Sequence, residues 1–490
     1  MLDALKQISE YGLVGELLLL GDFLVRLTLV IWVLSQKRRS PESRIGWILL
    51  LLGLPFVGTV VFLLVGETRL GRIRIERHRR IREALDRPEI HADGDTEARA
   101  HGELDRSSSH LARLAEQISG GAPVRGNAIE LFGDTSEVIQ RMEMDIDAAK
   151  IHCHLLFYIW LDDTAGTRIG DALIRAVSRG VTCRVLVDAV GSKLFLKSTL
   201  CERMKKAGVQ VKPALPANAI RAIFARIDLR NHRKIAVIDH GLAWTGSQNL
   251  AEADFALKPK FAPWVDCVVR VVGPVAKELH ILFAEGWFLD AGESLVDELL
   301  QPVKTQESGV VAQVVASGPN FRNHAATQLI QSCIHEADEE LVLTTPYFVP
   351  DSATIVNLAT AARRGIKVTI VLPRRNDSRL VGLASRSNYA PLLEAGVRIL
   401  EFEGGLLHAK TITVDRRVAL VTSCNLDRRS FELNFEAGVL VFDRDFAANL
   451  RFLQQSYFDR SVLVDPSAWS ERSTRTRLLE NAAGLLSPLL

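Results

Sequence analysis

The sequence predicts an α/β protein in which two duplicated α/β sandwich domains, related by a pseudo-two-fold axis, follow an N-terminal transmembrane helical hairpin. Two long apolar stretches near the N-terminus predict the hairpin. The rest of the chain alternates β-branched apolar runs with amphipathic stretches, which is typical of α/β units around a buried sheet. A polar motif that occurs twice in the same order indicates that these units are duplicated.

Length and composition limit the classes of protein to which the chain can belong. The 490 residues exceed one ordinary domain, and 48% hydrophobic with 24% charged residues exclude a disordered or low-complexity chain. The net charge of +2 provides no global basic field, so we expect no nucleic-acid partner. The six cysteines form no C-x-x-C pair, which argues against a zinc site and favours buried thiols in a reducing compartment.

The hairpin is predicted from two apolar segments. Residues 45–65 form an uninterrupted run without charge, enough for a helix about 30 Å long that crosses a bilayer. Residues 13–34 are interrupted by Glu16, Asp22 and Arg26, so this segment is either a second spanning helix, which we favour, or an amphipathic helix in the interface. A cleaved signal peptide is disfavoured because the start of the chain lacks a basic region.

Basic residues flank both sides of the second apolar segment. The larger group lies after it, which predicts that the bulk of the chain is cytoplasmic. For the arginines of this larger group, a solvated helix face and a contact with anionic lipid both remain open. The two groups are Lys37, Arg38, Arg39 and Arg44 before the segment, and Arg69, Arg72, Arg74, Arg77, Arg79, Arg80 and Arg82 after it.

The chain divides into four parts by composition and repetition. The hairpin occupies residues 1–66, and the polar residues 67–125 form a basic juxtamembrane segment and linker. The two repeats follow as residues 126–300 and 301–490. Their boundary is expected in the polar run near residues 295–310.

One polar motif occurs twice with the same spacing, since LRNHRKIAVIDHGLAWTGSQNL aligns with LLHAKTITVDRRVALVTSCNL when His408 is set against His232. Each copy contains H-x-K-x4-D followed by S-x-N, and its histidine and lysine project from one face of a predicted strand. A single match would be weak, but two copies in register indicate one composite site. The paired residues are His232, Lys234, Asp239, Ser247 and Asn249 in the first copy and His408, Lys410, Asp415, Ser423 and Asn425 in the second.

These residue types suit chemistry on a phosphodiester. The two lysines can neutralise its charge while the serines and asparagines bind its non-bridging oxygens, so neither a metal ion nor another cofactor is required. One imidazole can attack phosphorus to form a phosphohistidine, and the other can protonate the leaving alkoxide. Asp239 and Asp415 belong to the expected catalytic set because each follows its histidine at the same spacing.

Two carboxylates outside the motif are candidates for orienting the imidazoles. Asp266 lies downstream of the first copy of the motif, and Glu436 lies downstream of the second. A carboxylate that accepts a hydrogen bond from one ring nitrogen orients the ring and supports its cation. We therefore expect Asp266 and Glu436 to contact the histidines.

The paired motifs resemble those of the phospholipase D superfamily, and the wider pattern is similar to that of the bacterial cardiolipin synthases. The resemblance covers nearly the whole chain, and its most specific segments are TTPYFVPD, LHAKTITVD and NLDRRSFELNFE. It implies two phospholipase D-like domains, with His232 as nucleophile and His408 as general acid. It also implies phosphatidyl transfer between two phosphatidylglycerol molecules by a multi-pass protein of the bacterial inner membrane, with anionic phospholipids as its partners.

Two other function classes stay open on the sequence. A membrane-bound phosphodiesterase of the same superfamily, either a phospholipase or a nuclease, would pass the phosphoryl group to water, and a nuclease would be expected to show a basic groove. A non-catalytic membrane scaffold would retain the fold alone, which the intact residues of both motifs oppose. The sequence carries no signal for an oligomeric state.

Overall fold

The computed structural model describes residues 2–36, 41–66, 72–85, 90, 100–216, 226, 228–319 and 324–486. The chain forms two compact units. The first is Met1–Arg72 with Ala217–Asp228, and the second is Ile73–Pro216 with Leu229–Leu490. The apolar segments belong to the first unit, and both copies of the polar motif belong to the second.

Three helices form the first unit, α1 (Leu2–Ser35), α2 (Pro41–Gly53) and α3 (Val57–Val65). Within the part of the chain that the structure describes, Gly15–Ser35 is the one helical segment with both the length and the apolar composition to cross a membrane. The first predicted apolar segment is therefore a continuous helix that is long enough to span.

The prediction of one continuous helix over residues 45–65 is wrong. α2 ends at Gly53 and α3 begins at Val57. Pro55 lies between them, and it has no N–H to donate to the carbonyl oxygen of Leu51. The segment is therefore two short helices joined by a turn.

Two charged residues of α1 compensate for this break. Arg26 donates to the carbonyl oxygens of Leu51 and Leu52 at 3.4 and 3.3 Å. Asp22 accepts the backbone N–H of Phe56 at 3.2 Å and pairs with Arg26 at 2.7 Å. Backbone N–H and C=O groups without hydrogen-bond partners are costly in an apolar environment. Asp22 and Arg26, which interrupt the first apolar segment, therefore bind backbone groups at the break in the second segment.

The remaining helices follow in chain order. Aspartates cap the N-termini of seven of them by accepting a first-turn N–H: Asp105, Asp134, Asp163, Asp351, Asp427, Asp443 and Asp465. The helices are α4 (Arg72–Leu85), α5 (Arg106–Ser119), α6 (Thr135–Ala148), α7 (Thr164–Ser178), α8 (Thr199–Lys206), α9 (Pro274–Ala291), α10 (Val296–Leu299), α11 (Ala325–His335), α12 (Ser352–Arg363), α13 (Arg379–Ser387), α14 (Tyr389–Glu394), α15 (Arg428–Glu432), α16 (Arg444–Phe458), α17 (Pro466–Ser470) and α18 (Thr474–Gly484).

Among the residues that the structure describes, the strands lie in the second unit. Most are short, β-branched and buried on both faces, as expected for a sheet covered by helices. They are β1 (Val124–Phe132), β2 (His152–Phe157), β3 (Thr182–Asp188), β4 (Gln210–Ala214), β5 (Arg230–Asn231), β6 (Ile235–Ile238), β7 (Leu242–Gly246), β8 (Trp264–Val265), β9 (Val268–Val272), β10 (Val310–Ser317), β11 (Glu340–Thr344), β12 (Phe348–Val349), β13 (Lys367–Pro373), β14 (Arg398–Phe402), β15 (Leu406–Leu407), β16 (Thr411–Val414), β17 (Val418–Thr422), β18 (Leu426–Asp427), β19 (Asn434–Val441) and β20 (Ser461–Leu463).

The order of strands in the main sheet is symmetric about its centre. There, β1 pairs with β10 in antiparallel fashion, with Val124 opposite Ala312. Outward from β1 the order is β9, β7, β6, β2, β3 and β4, and outward from β10 it is β19, β17, β16, β11, β13 and β14, followed by the additional edge strand β20. Equivalent strands thus occur in the same order on both sides, which confirms the predicted duplication and its pseudo-two-fold axis.

Two short pairings cross between the repeats. β5 of the first repeat pairs with β19 of the second, and β8 of the first pairs with β15 of the second. One face of the sheet shares a core with α9 and α16, to which strands of both repeats contribute. The opposite face is covered separately, by α6, α7 and α8 in the first repeat and by α5, α11, α12 and α14 in the second.

Candidate active site

The two motif histidines lie where the cross-repeat pairings end. His232 follows β5, and its backbone N–H donates to the carbonyl oxygen of Phe435 at 2.9 Å. His408 follows β15, and its backbone N–H donates to the carbonyl oxygen of Val265 at 2.7 Å. Each histidine is therefore fixed by a backbone contact with the other repeat.

The side chains of the histidines also reach across the repeat boundary. His232 Nδ1 lies 2.9 Å from Oε2 of Glu436, which belongs to the second repeat. His408 Nδ1 lies 2.6 Å from Oδ1 of Asp266, which belongs to the first. The structure therefore places each expected carboxylate on the histidine of the opposite repeat. Because Nδ1 is engaged in both rings, Nε2 is the nitrogen left for chemistry.

Ser247 and Ser423, which the sequence predicts to bind the substrate, contact the orienting carboxylates in the structure. Ser247 Oγ donates to the Asp266 carboxylate at 2.5 Å and accepts the N–H of Cys267 at 2.9 Å. Ser423 Oγ donates to the Glu436 carboxylate at 2.5 Å. Both serines are fully buried, and we propose that their hydroxyls hold the orienting carboxylates rather than a phosphate.

Asp239 and Asp415, which the sequence assigns to the catalytic set, bind backbone amides in the structure, and we propose a structural role for them. The Asp239 carboxylate accepts backbone N–H groups of residues 150–152 at 2.8–3.2 Å. The Asp415 carboxylate accepts those of residues 338–340 at 2.8–2.9 Å. Each follows a strand that begins after the motif lysine, so it lies at the far end of that strand and ties down the turn before β2 or β11.

The motif lysines are buried beside the imidazoles. Lys234 Nζ donates to the carbonyl oxygen of His232 at 2.7 Å, and Lys410 Nζ donates to that of His408 at 2.6 Å. Burial lowers the pKa of both lysines, that of Lys410 to about 8, although the carboxylates of both half-sites partly offset this effect. An anion bound beside them would raise both pKa values again.

The motif asparagines differ in their contacts. Asn249 Oδ1 accepts the backbone N–H of Ile159 at 3.2 Å, which leaves its amide nitrogen as the donor that faces away from the backbone. Asn425 Nδ2 instead lies 3.2 Å from the Ser430 hydroxyl. Both side chains are buried next to the motif serines, and their predicted role in phosphate binding stays a prediction.

Burial sets the ionisation of the resting site. The pKa of His232 and of His408 falls to about 4, because loss of hydration disfavours each cation more than its carboxylate partner favours it. Burial alone would raise the pKa of Asp266, but His408 and Lys410 outweigh it and lower that pKa to about 2. Both imidazoles are thus neutral at pH 7, beside ionised carboxylates.

Aromatic rings flank the two imidazoles in different ways. The Tyr158 ring lies 4.8 Å from that of His232, and the Lys234 ammonium lies 5.5 Å from the centre of the same tyrosine. On the other side the Trp264 ring lies 4.7 Å from that of His408 and stacks on Phe255. These rings exclude water from one side of each imidazole.

Sequence reasoning does not single out Arg233, which lies between the motif histidine and lysine. Alternation along a strand directs it to the opposite face, and the structure buries it there with Nε donating to the carbonyl oxygen of Glu436 at 3.3 Å. The equivalent residue of the second copy is Ala409. A charged residue between two site residues of a buried strand is the signal that could have identified it.

A group of metal-ligating side chains lies outside the motif. His152, His154, His280 and Glu298 each bring one ligand atom to within 4.8 Å of the others. His154 Nδ1 lies 2.9 Å from His280 Nε2, and the Arg184 guanidinium lies 3.0 Å from His154 Nε2. A guanidinium is permanently charged and donates hydrogen bonds, so Arg184 occupies His154 Nε2 as a hydrogen-bond donor. The histidines therefore form a buried hydrogen-bond network in the first repeat.

Comparisons with known proteins agree with this geometry. The family described as cardiolipin synthase, PLD-like domain, matches residues 142–262 and 330–458, and the family described as phospholipase D-nuclease N-terminal matches residues 24–67. Cardiolipin synthase A of Shigella flexneri is 37% identical over 98% of this chain and 100% of its own length. Cardiolipin synthase A of Escherichia coli O1:K1 / APEC shows the same identity and coverage.

The fold is also found in a solved structure. Phosphatidylserine synthase of Haemophilus influenzae Rd KW20 is similar over 79% of this chain and 100% of its own, with a TM-score of 0.58 and 16% identity. The duplicated family match covers both motifs, and the apolar N-terminal helix together with the relatives indicates membrane association. The chain belongs to the bacterial cardiolipin synthase family of the phospholipase D superfamily.

Proposed function

We propose that the protein is a cardiolipin synthase that transfers a phosphatidyl group from one phosphatidylglycerol to the terminal hydroxyl of another. The products are cardiolipin and glycerol. The observation that carries this proposal is the pair of buried His–carboxylate contacts, one at 2.9 Å and one at 2.6 Å, each formed between the two repeats. Two such pairs supply one nucleophile and one acid–base group.

The first half-reaction forms a covalent intermediate. Nε2 of neutral His232 attacks phosphorus of the first phosphatidylglycerol, while Glu436 holds the Nδ1 proton and supports the positive charge that develops on the ring. The bond from phosphorus to the glycerol oxygen breaks. His408 gives its Nε2 proton to that oxygen, and glycerol leaves.

The second half-reaction uses the same groups in reverse. The terminal hydroxyl of the second phosphatidylglycerol gives its proton to Nε2 of His408, and its oxygen attacks phosphorus. The bond between phosphorus and His232 breaks, and cardiolipin leaves. Asp266 stabilises the imidazolium of His408 before the first step and again after the second.

The charge of the phosphoryl group is balanced by the motif lysines. Each imidazole is influenced by both Lys234 and Lys410, which supports a single anion site between the half-sites. The amide groups of Asn249 and Asn425 serve as further donors to the non-bridging oxygens. The bound phosphodiester raises the pKa of the His408 imidazole, so this ring carries the proton that the first step requires.

The site is proposed to act at the inner membrane of a bacterial cell, where anionic phospholipids are the partners. A multi-pass anchor with the catalytic unit in the cytoplasm is supported by the apolar composition of both N-terminal segments and by the basic residues after the second one. We place the repeat boundary between residues 300 and 301, supported by the end of α10 at Leu299 and the start of β10 at Val310.

The function is tested by reconstituting the full chain into vesicles of phosphatidylglycerol alone and analysing lipids and glycerol. We expect cardiolipin and glycerol in equal amounts. Phosphatidic acid with glycerol would instead identify a phosphodiesterase that uses water, and no product would contradict both activities. The variant His232→Ala, assayed in the same vesicles, provides the background for each product.

A further inference from the structure

The helix that follows the apolar segments in the sequence, α4, has a charged face that is buried in the catalytic unit. Arg74, His78, Ile81 and Leu85 recur at helical spacing, and Arg74, Ile81 and Leu85 are buried. Arg79, by contrast, has a side chain that is 60% exposed and pairs with glutamates of its own helix. The solvated face and the lipid contact considered from the sequence can therefore apply only to the outer residues.

The buried face of α4 forms ion pairs with α9. Arg74 Nη1 lies 2.7 Å from the Asp290 carboxylate, and the two side chains are 8% and 1% exposed. His78 Nε2 lies 3.1 Å from Oε1 of Glu285, a side chain that is 5% exposed. The buried ion pair between Arg74 and Asp290 fixes the position of both partners, because separating them leaves a buried charge without compensation.

Glu285 is a buried carboxylate at the contact between α4 and α9, and the Phe435 ring connects this contact with the active site. Burial alone would raise the pKa of Glu285, but its contact with His78 and the charges of Arg233 and Arg82 outweigh burial and lower that pKa to about 2. Arg233 in turn donates to the carbonyl oxygen of Glu436 at 3.3 Å. The guanidinium groups of Arg74 and Arg233 both lie 5.6 Å from the centre of the Phe435 ring.

The support is confined to one half of the site. The carbonyl oxygen of Phe435 accepts the backbone N–H of His232, and the Glu436 carboxylate contacts the imidazole of His232. Both residues belong to β19, and Arg233 donates to the backbone of the same strand. Arg233 therefore holds the strand that fixes this histidine. In the other half Ala409 occupies the equivalent position and carries no polar group. Displacements of about 1 Å at a catalytic group lower rates substantially even when they begin far from the chemistry.

We propose that Arg233 is a positioning residue for the His232–Glu436 half of the site, and that α4 supports it through Arg74, which lies against the same Phe435 ring. The contact of His78 with Glu285 holds α4 on α9. This inference rests on the proposed function. It assigns α4 a part in catalysis that neither the motif nor the apolar anchor suggests.

The test compares three variants of the full chain in phosphatidylglycerol vesicles. His78→Ala removes the contact with Glu285, His78→Gln keeps a donor on a shorter side chain, and Arg79→Ala is the control on the exposed face of the same helix. We expect His78→Ala to lower kcat about tenfold with KM unchanged, since contacts that orient catalytic groups have effects of this size. His78→Gln should recover most of kcat, and Arg79→Ala should match the unchanged protein.

A double-mutant cycle then locates the effect in one half of the site. His78→Ala combined with Ser423→Ala should lose less than the product of the single effects, since both act through Glu436. His78→Ala combined with Ser247→Ala, which acts on the other half, should lose the full product.

Three outcomes would overturn the inference: equal kcat for His78→Ala and Arg79→Ala, a lower unfolding temperature with unchanged kcat, or independent effects in both cycles. If the unchanged protein makes no cardiolipin, the result contradicts the proposed function, and the positioning role that rests on it falls as well.

Discussion

The two halves of the active site share a polar framework but differ in what lies behind it. In each half an imidazole contacts a carboxylate of the opposite repeat, and the carboxylate accepts a buried serine hydroxyl. The residues are His232, Glu436 and Ser423 in one half and His408, Asp266 and Ser247 in the other. Behind the first half a buried arginine contacts the strand backbone, whereas the equivalent position of the second half is an alanine.

The two repeats therefore share the reacting groups but differ in the residue that packs behind each histidine. A nucleophile forms a bond at one fixed position and needs tightly held geometry, whereas an acid–base group only transfers a proton over a hydrogen bond. We interpret the additional support behind His232 as matching the nucleophilic role and the plainer surroundings of His408 as matching the acid–base role.

The largest effect is expected for the histidines themselves. His232→Ala and His408→Ala should each lower cardiolipin formation by about four to six orders of magnitude, as loss of a triad histidine does. His240→Ala is the matched control, because this histidine lies outside the site and contacts His152. Steady-state rates in phosphatidylglycerol vesicles measure the effect, and activity above about one per cent of the unchanged protein in either variant would remove that histidine from the mechanism.

The carboxylates should distinguish the halves. Glu436→Gln and Asp266→Asn should each lower kcat by about two to four orders of magnitude, because each removes the charge that supports an imidazolium. A phosphodiester with a nitrophenol leaving group needs no acid, so it should restore much of the first-step rate of Asp266→Asn but not that of Glu436→Gln. Stopped-flow release of nitrophenol measures this rate, and the opposite pattern would exchange the roles of the two halves.

The serines should have a smaller effect that is equal in both halves. Ser247→Ala and Ser423→Ala should each lower kcat about tenfold to a hundredfold, since groups that orient a first contact typically contribute this much. KM should not change, because the hydroxyls donate to carboxylates. A rise in KM with unchanged kcat would instead indicate that the serines bind the phosphodiester.

The motif aspartates should have the smallest effect on catalysis. Asp239→Asn and Asp415→Asn should keep kcat within about threefold, because both carboxylates bind backbone amides at the far end of their strands. Each should lower the free energy of unfolding by about 1–3 kcal/mol through loss of charged hydrogen bonds. Denaturant unfolding measures the stability, and a loss of kcat beyond about a hundredfold with unchanged stability would return the aspartate to the catalytic set.

The sequence was sufficient for the duplication, the α/β class and the convergence of the two motifs, because strand alternation and internal repetition are local signals. It also indicated the orienting carboxylates. The sequence could not predict that Asp266 and Glu436 each contact the histidine of the other repeat. These contacts depend on the short pairings of β5 with β19 and of β8 with β15, and strands of two residues leave no recognisable pattern in a sequence.

Equal spacing proved a poor guide to shared function within the motif. Asp239 and Asp415 repeat as regularly as the histidines, but regular spacing also arises when a turn must be held at the same place in both repeats. Pro55 is the signal that could have identified the break between α2 and α3, whereas the prediction of one helix rests on the uncharged run alone. The compensating Asp22 and Arg26 could be assigned only with the helices in place.

The measurement that tests the central claim most directly is the position of the covalent phosphorus. The His408→Ala variant is incubated in vesicles with a phosphatidyl ester of nitrophenol, digested under alkaline conditions that preserve phosphohistidine, and analysed by mass spectrometry. If His232 is the nucleophile, this variant carries a phosphatidyl adduct on His232, and the matching His232→Ala variant carries no adduct. An adduct on His408 in His232→Ala, with none on His232 in His408→Ala, would contradict the assignment of the two halves.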